Sequence, residues 1–253
     1  MKKPTDIGTN RTGIKASPLD SKKTMEGARD SKLVDPGDAG MLADERMEWS
    51  QTADPVGTMP PPGTFKGTVK TVAGKLKGNE PNVFVDKLGE RLAFERTGVR
   101  LYEALLCKLA AANVHEGGPT REEIEHIRDE ELQHFKILKE SIESLGGDPT
   151  TMTPCADITA VASSGILKVL SDPRSTLTQC LEAILIAELT DNDAWVMLTN
   201  LADGLGKADL AERFRQAMSE EEEHLMLVRT WVSAGVNGQA GIVPTPPQPQ
   251  ATH

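Results

Sequence analysis

Four stretches of helical period in this chain carry carboxylates on faces that are otherwise apolar. Two of them hold a Glu-x-x-His step, Glu131-Leu-Gln-His134 and Glu221-Glu-Glu-His224. Side chains three residues apart share one helix face, so each Glu and its His point to one locus. Each step follows another helical stretch with a lone Glu in its seam, Glu95 and then Glu188. Charged groups in a seam point between helices, where burial without a counter-charge is costly. The helices must therefore pack around one shared polar centre.

The period fixes the elements. The first helix is expected from about Asn82 to Ala112, with Leu88, Leu92, Glu95, Val99, Tyr102, Leu106 and Leu109 on its seam. Thr120-Arg-Glu-Glu123 reads as a capping box opening the second. That helix carries Ile124, Ile127, Glu131, His134, Leu138, Ile142 and Leu145 before Gly146-Gly-Asp-Pro149 stops it. A connection follows with a short helix expected from Asp157 to Leu170. The third long helix spans about Ser175 to Asp203, with Leu181, Ile184, Glu188, Asp191, Trp195, Leu198 and Ala202 on one stripe. The fourth spans about Ala208 to Ser233, with Leu210, Phe214, Ala217, Glu221, His224, Val228 and Trp231. No strand is expected. Short links within each pair and a long one between pairs predict an all-α four-helix bundle with one crossover.

The two pairs also repeat. Tyr102 follows Glu95, and Trp195 follows Glu188, by the same interval. Each hairpin thus supplies one Glu, one aromatic and one Glu-x-x-His, which predicts a pseudo-two-fold site. Glu95, Glu131, Glu188 and Glu221 bring four negative charges, which two divalent ions would balance, with neutral imidazoles completing the coordination. Oxygen-rich ligation with two nitrogens suits iron or manganese, as a carboxylate-bridged pair roughly 3.5–4 Å apart.

The set resembles the ferritin-like di-metal carboxylate superfamily, in the manner of bacterioferritin and rubrerythrin: a Glu from each of two helices and a Glu-x-x-His from each of the others. The resemblance covers about residues 82–234. It implies that Glu95 and Glu188 each favour one metal, that Glu131 and Glu221 bridge both, and that His134 and His224 cap one each. Two Fe ions are the implied cofactors, with Mn as the alternative. Tyr102 and Trp195 fall at near-site aromatic positions, where core packing and a redox role are the two readings. Glu130 and Glu220, just before the bridging Glu residues, fall where an acid in some relatives steadies the opposite histidine. Asp191 resembles the additional acid of rubrerythrins. No rubredoxin-like C-x-x-C module is present, and Leu132 stands where bacterioferritin places its haem-binding Met, so haem is not expected.

Outside the bundle the composition changes. Residues 1–80 hold 13 basic and 11 acidic side chains, leaving 15 and 27 of the chain's 28 and 38. An acidic bundle repels nucleic acid and anionic membrane and attracts cations. Residues 1–80 read as a mostly disordered tail, with Ala43–Gln51 and Thr64–Lys77 as transient helices. A docking segment for an unidentified partner is the sharper reading of that tail. Residues 81–235 are the bundle, and 236–253 a Pro- and Gln-rich tail. Cys107, Cys155 and Cys180 lack metal or disulfide spacing, no signal or spanning segment is apparent, and a cytoplasmic, reducing setting is expected. Cys107 and Cys180 read as core or semi-buried, and Met197, Met218 and Met226 as packing residues.

Three functions follow in order. The first is an oxidoreductase that oxidises ferrous iron or consumes dioxygen or peroxide, ferroxidase- or peroxidase-like. The second is a metal-sequestering stress protein with little turnover. The third is a bundle whose polar seam only sets helix register. The partners expected are metal ions and dioxygen or peroxide, with a homodimer or larger oligomer allowed for.

Overall fold

A computed structural model describes residues 14–31, 38–61 and 81–242. The chain divides into two units, Met1–Pro55 and Val56–His253. The first contains a 3-10 turn at Ile14–Ala16 and two helices, α1 (Pro18–Asp30) and α2 (Ala39–Thr52). Neither α1 nor α2 buries a residue. α2 covers the expected Ala43–Gln51 helix and is capped by Asp38, which accepts from the Met41 amide at 2.8 Å. α1 falls outside the helices expected from sequence, because its residues are mostly polar. The expected helix at Thr64–Lys77 lies outside the described residues.

The second unit contains α3 (Pro81–Ala110), α4 (Arg121–Ser144), α5 (Pro154–Ser171), α6 (Leu177–Gly204) and α7 (Ala208–Ala240). Among the described residues there is no strand, and no helix is long and apolar enough to cross a membrane. Helix starts are set by side chains. Thr120 and Glu123 form the capping box of α4, and Thr176 and Gln179 form a second one on α6. Thr153 caps α5, with Pro154 in its first turn.

Two apolar cores order the long helices. One gathers Leu101, Leu105, Ile124, Ile127, Leu181, Ile184, Val228 and Trp231. The other gathers Leu88, Leu92, Leu138, Ile142, Leu198, Ala202, Ala211 and Phe214. Rising numbers on α3 meet falling numbers on α4 and α6, and α7 likewise opposes both α6 and α4. All four neighbouring pairs are therefore antiparallel, and α4 and α6 run the same way. The chain must return the length of the bundle between them, which α5 does while packing on α3 and α6. This is an all-α bundle with one long crossover.

Some details depart from the sequence reading. α7 continues past Ser233 to Ala240. Gly235 is buried against Thr178, where a Cβ would press on the Thr178 hydroxyl, and Gln239 Nε2 donates to Thr178 Oγ1 at 2.9 Å. The close packing of a residue without a side chain carries the last turns along α6. Cys107 is exposed, whereas Cys180 is buried; all three cysteines are free. Met197 and Met226 face solvent rather than packing inward, because their positions lie off the inward stripe.

Candidate metal centre

Between the two apolar cores lies a belt of buried polar groups. α3 supplies Glu95, α4 supplies Glu131 and His134, α6 supplies Glu188 and Asp191, and α7 supplies Glu221 and His224; none is more than 2% exposed. Each sits in register with the apolar seam of its own helix, so the packing that forms the cores also brings these residues together. They form overlapping groups: Glu131, Glu188, Glu221 and His224; Glu95, His134 and Glu221; and Glu95, Glu131, Asp191 and Glu221. Within each group one ligand atom per residue lies within 4.8 Å of the others. Glu221 belongs to all three groups and Glu131 to two.

Hydrogen bonds from across the bundle orient these groups. His134 Nε2–H donates to Glu220 Oε2 at 2.7 Å, and His224 Nε2–H donates to Glu130 Oε2 at 2.9 Å. Each acid belongs to the opposite hairpin. A donating Nε2 leaves Nδ1 as the lone-pair nitrogen, the tautomer a metal ligand needs. Similarly, Tyr102 Oη donates to Glu188 Oε1 at 2.5 Å, and Trp195 Nε1 donates to Glu95 Oε1 at 2.9 Å. The two aromatic residues thus hold Glu188 and Glu95 crosswise, each by one oxygen. The Trp195 ring also meets His134 edge-on, with centroids 5.4 Å apart.

What remains is a set of buried carboxylate oxygens and ring nitrogens with no hydrogen-bond partner: Glu95 Oε2, Glu131 Oε2, Glu188 Oε2, both Glu221 oxygens, His134 Nδ1 and His224 Nδ1. His134 Nδ1 lies only 2.8 Å from Glu221 Oε1, yet the pair is not aligned as a hydrogen bond. Buried polar atoms are ordinarily satisfied, and here carboxylate oxygens and ring nitrogens from both elements of each hairpin converge without aligned hydrogen bonds. This arrangement fits a pair of divalent cations.

Protons are the alternative to metal in such a belt. Burial, then the charge of Glu221, pushes Glu131 well above the usual carboxylate range. The same causes lift Glu188 to about 8. Burial raises Asp191 well above its usual range despite Arg91, with Glu221, Glu95 and Glu188 adding to the rise. Burial disfavours charge on His134, but Glu220, Glu221 and Glu95 outweigh it and hold the ring at about 12. For His224, Glu130 and Glu221 likewise overcome burial, at about 10. Glu221 is carried down to about 2 against its burial by the two imidazoles. Five carboxyls in one dry space cannot all ionise unless cations enter.

Two residues absent from the sequence expectation complete the belt. Arg91, one turn before Glu95, is buried; its Nε donates to Glu95 Oε1 at 3.1 Å, and its Nη2 lies 3.1 Å from Asp191 Oδ1. Gly98, one turn after Glu95, is where α3 makes room for Glu131: a Cβ there would collide with that carboxylate. Both follow from aligning the hairpins, since Arg91 matches Ile184 and Gly98 matches Asp191 when Glu95 is laid on Glu188.

The family model described as the ferritin-like domain matches residues 86–234. The comparisons with curated proteins and with solved structures returned no match. The matched span runs from the first turns of α3 to near the end of α7 and contains every belt residue. On that span, the antiparallel bundle with its crossover and the buried Glu and Glu-x-x-His groups, the chain belongs to the ferritin-like domain family.

Proposed function

We propose that this chain is a non-haem dinuclear carboxylate protein that holds two iron or manganese ions in the belt and consumes dioxygen or peroxide, with ferrous iron as its simplest reductant. The observation that carries the reading is the convergence of unpartnered lone pairs on Glu95, Glu131, Glu188, Glu221, His134 and His224. Glu95, Glu131 and Glu188 would hold the ions through Oε2, Glu221 through either of its oxygens, and His134 and His224 through Nδ1. The oxygen-rich donor set with two nitrogens favours iron or manganese over softer sites. When bound, such redox-active ions supply the electrons that reduce the oxidant.

The protein's part is to bind, orient and exclude water. Glu130 and Glu220 keep each imidazole in the ligating tautomer. Tyr102 and Trp195 tie one oxygen of each terminal carboxylate and leave the other free to move with the charge at the centre. The apolar cores above and below the belt keep bulk water from the reacting groups. Tyr102 and Trp195 are also oxidisable side chains in direct hydrogen-bond contact with Glu188 and Glu95, which is the basis for assigning them a redox role beside the positioning one.

The test is anaerobic loading with two ferrous ions per chain, followed by air or peroxide. Oxidant uptake in proportion to iron, repeated on fresh ferrous additions, is the expected result. Iron retained without oxidant uptake would leave sequestration as the function. Absence of both binding and uptake would contradict the metal-centre reading.

A further inference from the structure

The belt contains an odd number of carboxylates. Glu95, Glu131, Glu188, Asp191 and Glu221 are all buried, and Asp191 breaks the two-fold pattern, because its counterpart is Gly98. The same pattern is broken a second time, at the same end, by Arg91, whose counterpart is the buried Ile184. These two exceptions meet each other. Arg91 is 3% exposed, stacks 4.3 Å over the Phe94 ring, donates to Glu95 Oε1 and faces Asp191 Oδ1. Nη2 of Arg91 and Oδ1 of Asp191 are 3.1 Å apart, yet neither makes an aligned hydrogen bond, so the contact is one of charge. Asp191 also belongs to an all-oxygen group with Glu95, Glu131 and Glu221, a donor set a hard cation would accept.

We propose that Arg91 is a built-in fifth positive charge at this centre, which neutralises Asp191, keeps it out of metal coordination and limits the belt to two divalent cations. The inference rests on the dinuclear reading above. Five carboxylates against two divalent cations leave one negative charge in a dry interior, and a permanently charged guanidinium removes it. Arginine suits the role because it stays protonated when buried and reaches two carboxylates from one planar head. Arg91 is a positioning residue here, acting through Glu95 and Asp191.

The experiment is calorimetric titration of Mn2+ into the metal-free full-length protein and three variants, with thermal melting of the metal-free forms alongside. Wild type takes two Mn2+ per chain. Asp191→Leu leaves Arg91 unneutralised beside the cations and weakens the second Mn2+ about tenfold or more. Arg91→Leu tightens the second Mn2+ or admits a third, and lowers the metal-free melting temperature. The double variant Arg91→Leu/Asp191→Leu returns to two Mn2+ within about threefold of wild-type affinity, because the charges removed cancel. If the double variant stays as weak as Asp191→Leu, Asp191 is itself a ligand and the proposal is overturned. It is also overturned if all three variants bind Mn2+ as wild type does. Should Arg91→Leu fail to fold, Arg91→Lys keeps the charge and is expected to retain two Mn2+, whereas loss of the second ion there contradicts the charge role. Wild type that binds no Mn2+ refutes the dinuclear reading itself, a result distinct from any of these.

Discussion

The two hairpins of the bundle, α3–α4 and α6–α7, build the same half-site twice, with Tyr102 in one and Trp195 in the other, and then break the pattern of charge at two positions. In each, the lone seam Glu is held by an aromatic from the other hairpin, and a histidine is held by an acid from the other hairpin. Where they differ, α3 has Arg91 and Gly98, and α6 has Ile184 and Asp191. The repeated part is what any pair of cations would require. The unrepeated part gathers at Glu95, so the Glu95 and Glu188 ends start from the same residue types but not from the same field. Symmetry of the donor residues therefore does not make the two halves of the belt equivalent.

The largest effect expected on this comparison comes from the residues that join the halves. Glu131→Gln removes a carboxylate common to both and should lower Mn2+ affinity on the order of a hundredfold, as measured by calorimetry. The metal-free variant should melt no lower than wild type, because burial already holds Glu131 well above the ordinary carboxylate range. A variant that binds both ions normally would break the claim that the halves share a bridge.

Next come the acids that hold the imidazoles. Glu130→Gln and Glu220→Gln should each weaken metal binding by about 10- to 100-fold, and by similar factors, since the crossed contacts are alike. A large disparity between the two would sharpen the comparison by extending the asymmetry beyond Arg91 and Asp191.

The pH dependence of the metal-free protein tests the belt as a whole. Glu188 rises to about 8 in the fold, above its ordinary 4.5. A carboxyl raised in this way contributes stability that is complete below about 4.5 and is lost as pH climbs through about 8. His134, at about 12, changes stability in the same direction above its ordinary 6.5. Glu221, at about 2, adds nothing to this window, because its contribution is lost only on going below 4.5. The melting temperature without metal should therefore fall from pH 5 to pH 8, and the gain on adding Mn2+ should grow over the same range. A metal-free melting temperature that rises with pH there would contradict the electrostatics of the belt.

The smallest effects concern the aromatic clamps. Tyr102→Phe and Trp195→Phe each remove one hydrogen bond to a terminal carboxylate, worth about 1–3 kcal/mol when the acceptor is charged. Both should leave two metals bound. Loss of oxidant consumption without loss of metal in either variant would favour a redox role for that ring over a positioning one.

Much of this architecture was legible from residue spacing. A Glu or His in a seam of Leu and Ile is conspicuous, because the 3.6-residue period leaves no outward face for it, and Glu95, Glu131, His134, Glu188, Glu221 and His224 all stood out that way. Arg91 did not. A basic residue one turn from a seam Glu looks like a surface ion pair, and only the fold shows that Asp191 on α6 closes over it. Gly98 was silent for the opposite reason, since its function is the room it leaves for the Glu131 carboxylate. The extra turns of α7 depend on Gly235 lying against Thr178, a contact between distant positions that no local period encodes. Residue type alone points Cys107, Met197 and Met226 inward, whereas position on the helix decides their exposure.

The most direct test of the account is anomalous diffraction from a crystal of the protein soaked with Mn2+. Two peaks should appear inside the bundle, roughly 3.5–4 Å apart, one beside Glu188 and His224 and one beside Glu95 and His134, with Glu131 and Glu221 between them. A belt with no anomalous peak, while manganese sits only on the acidic surface, would contradict it.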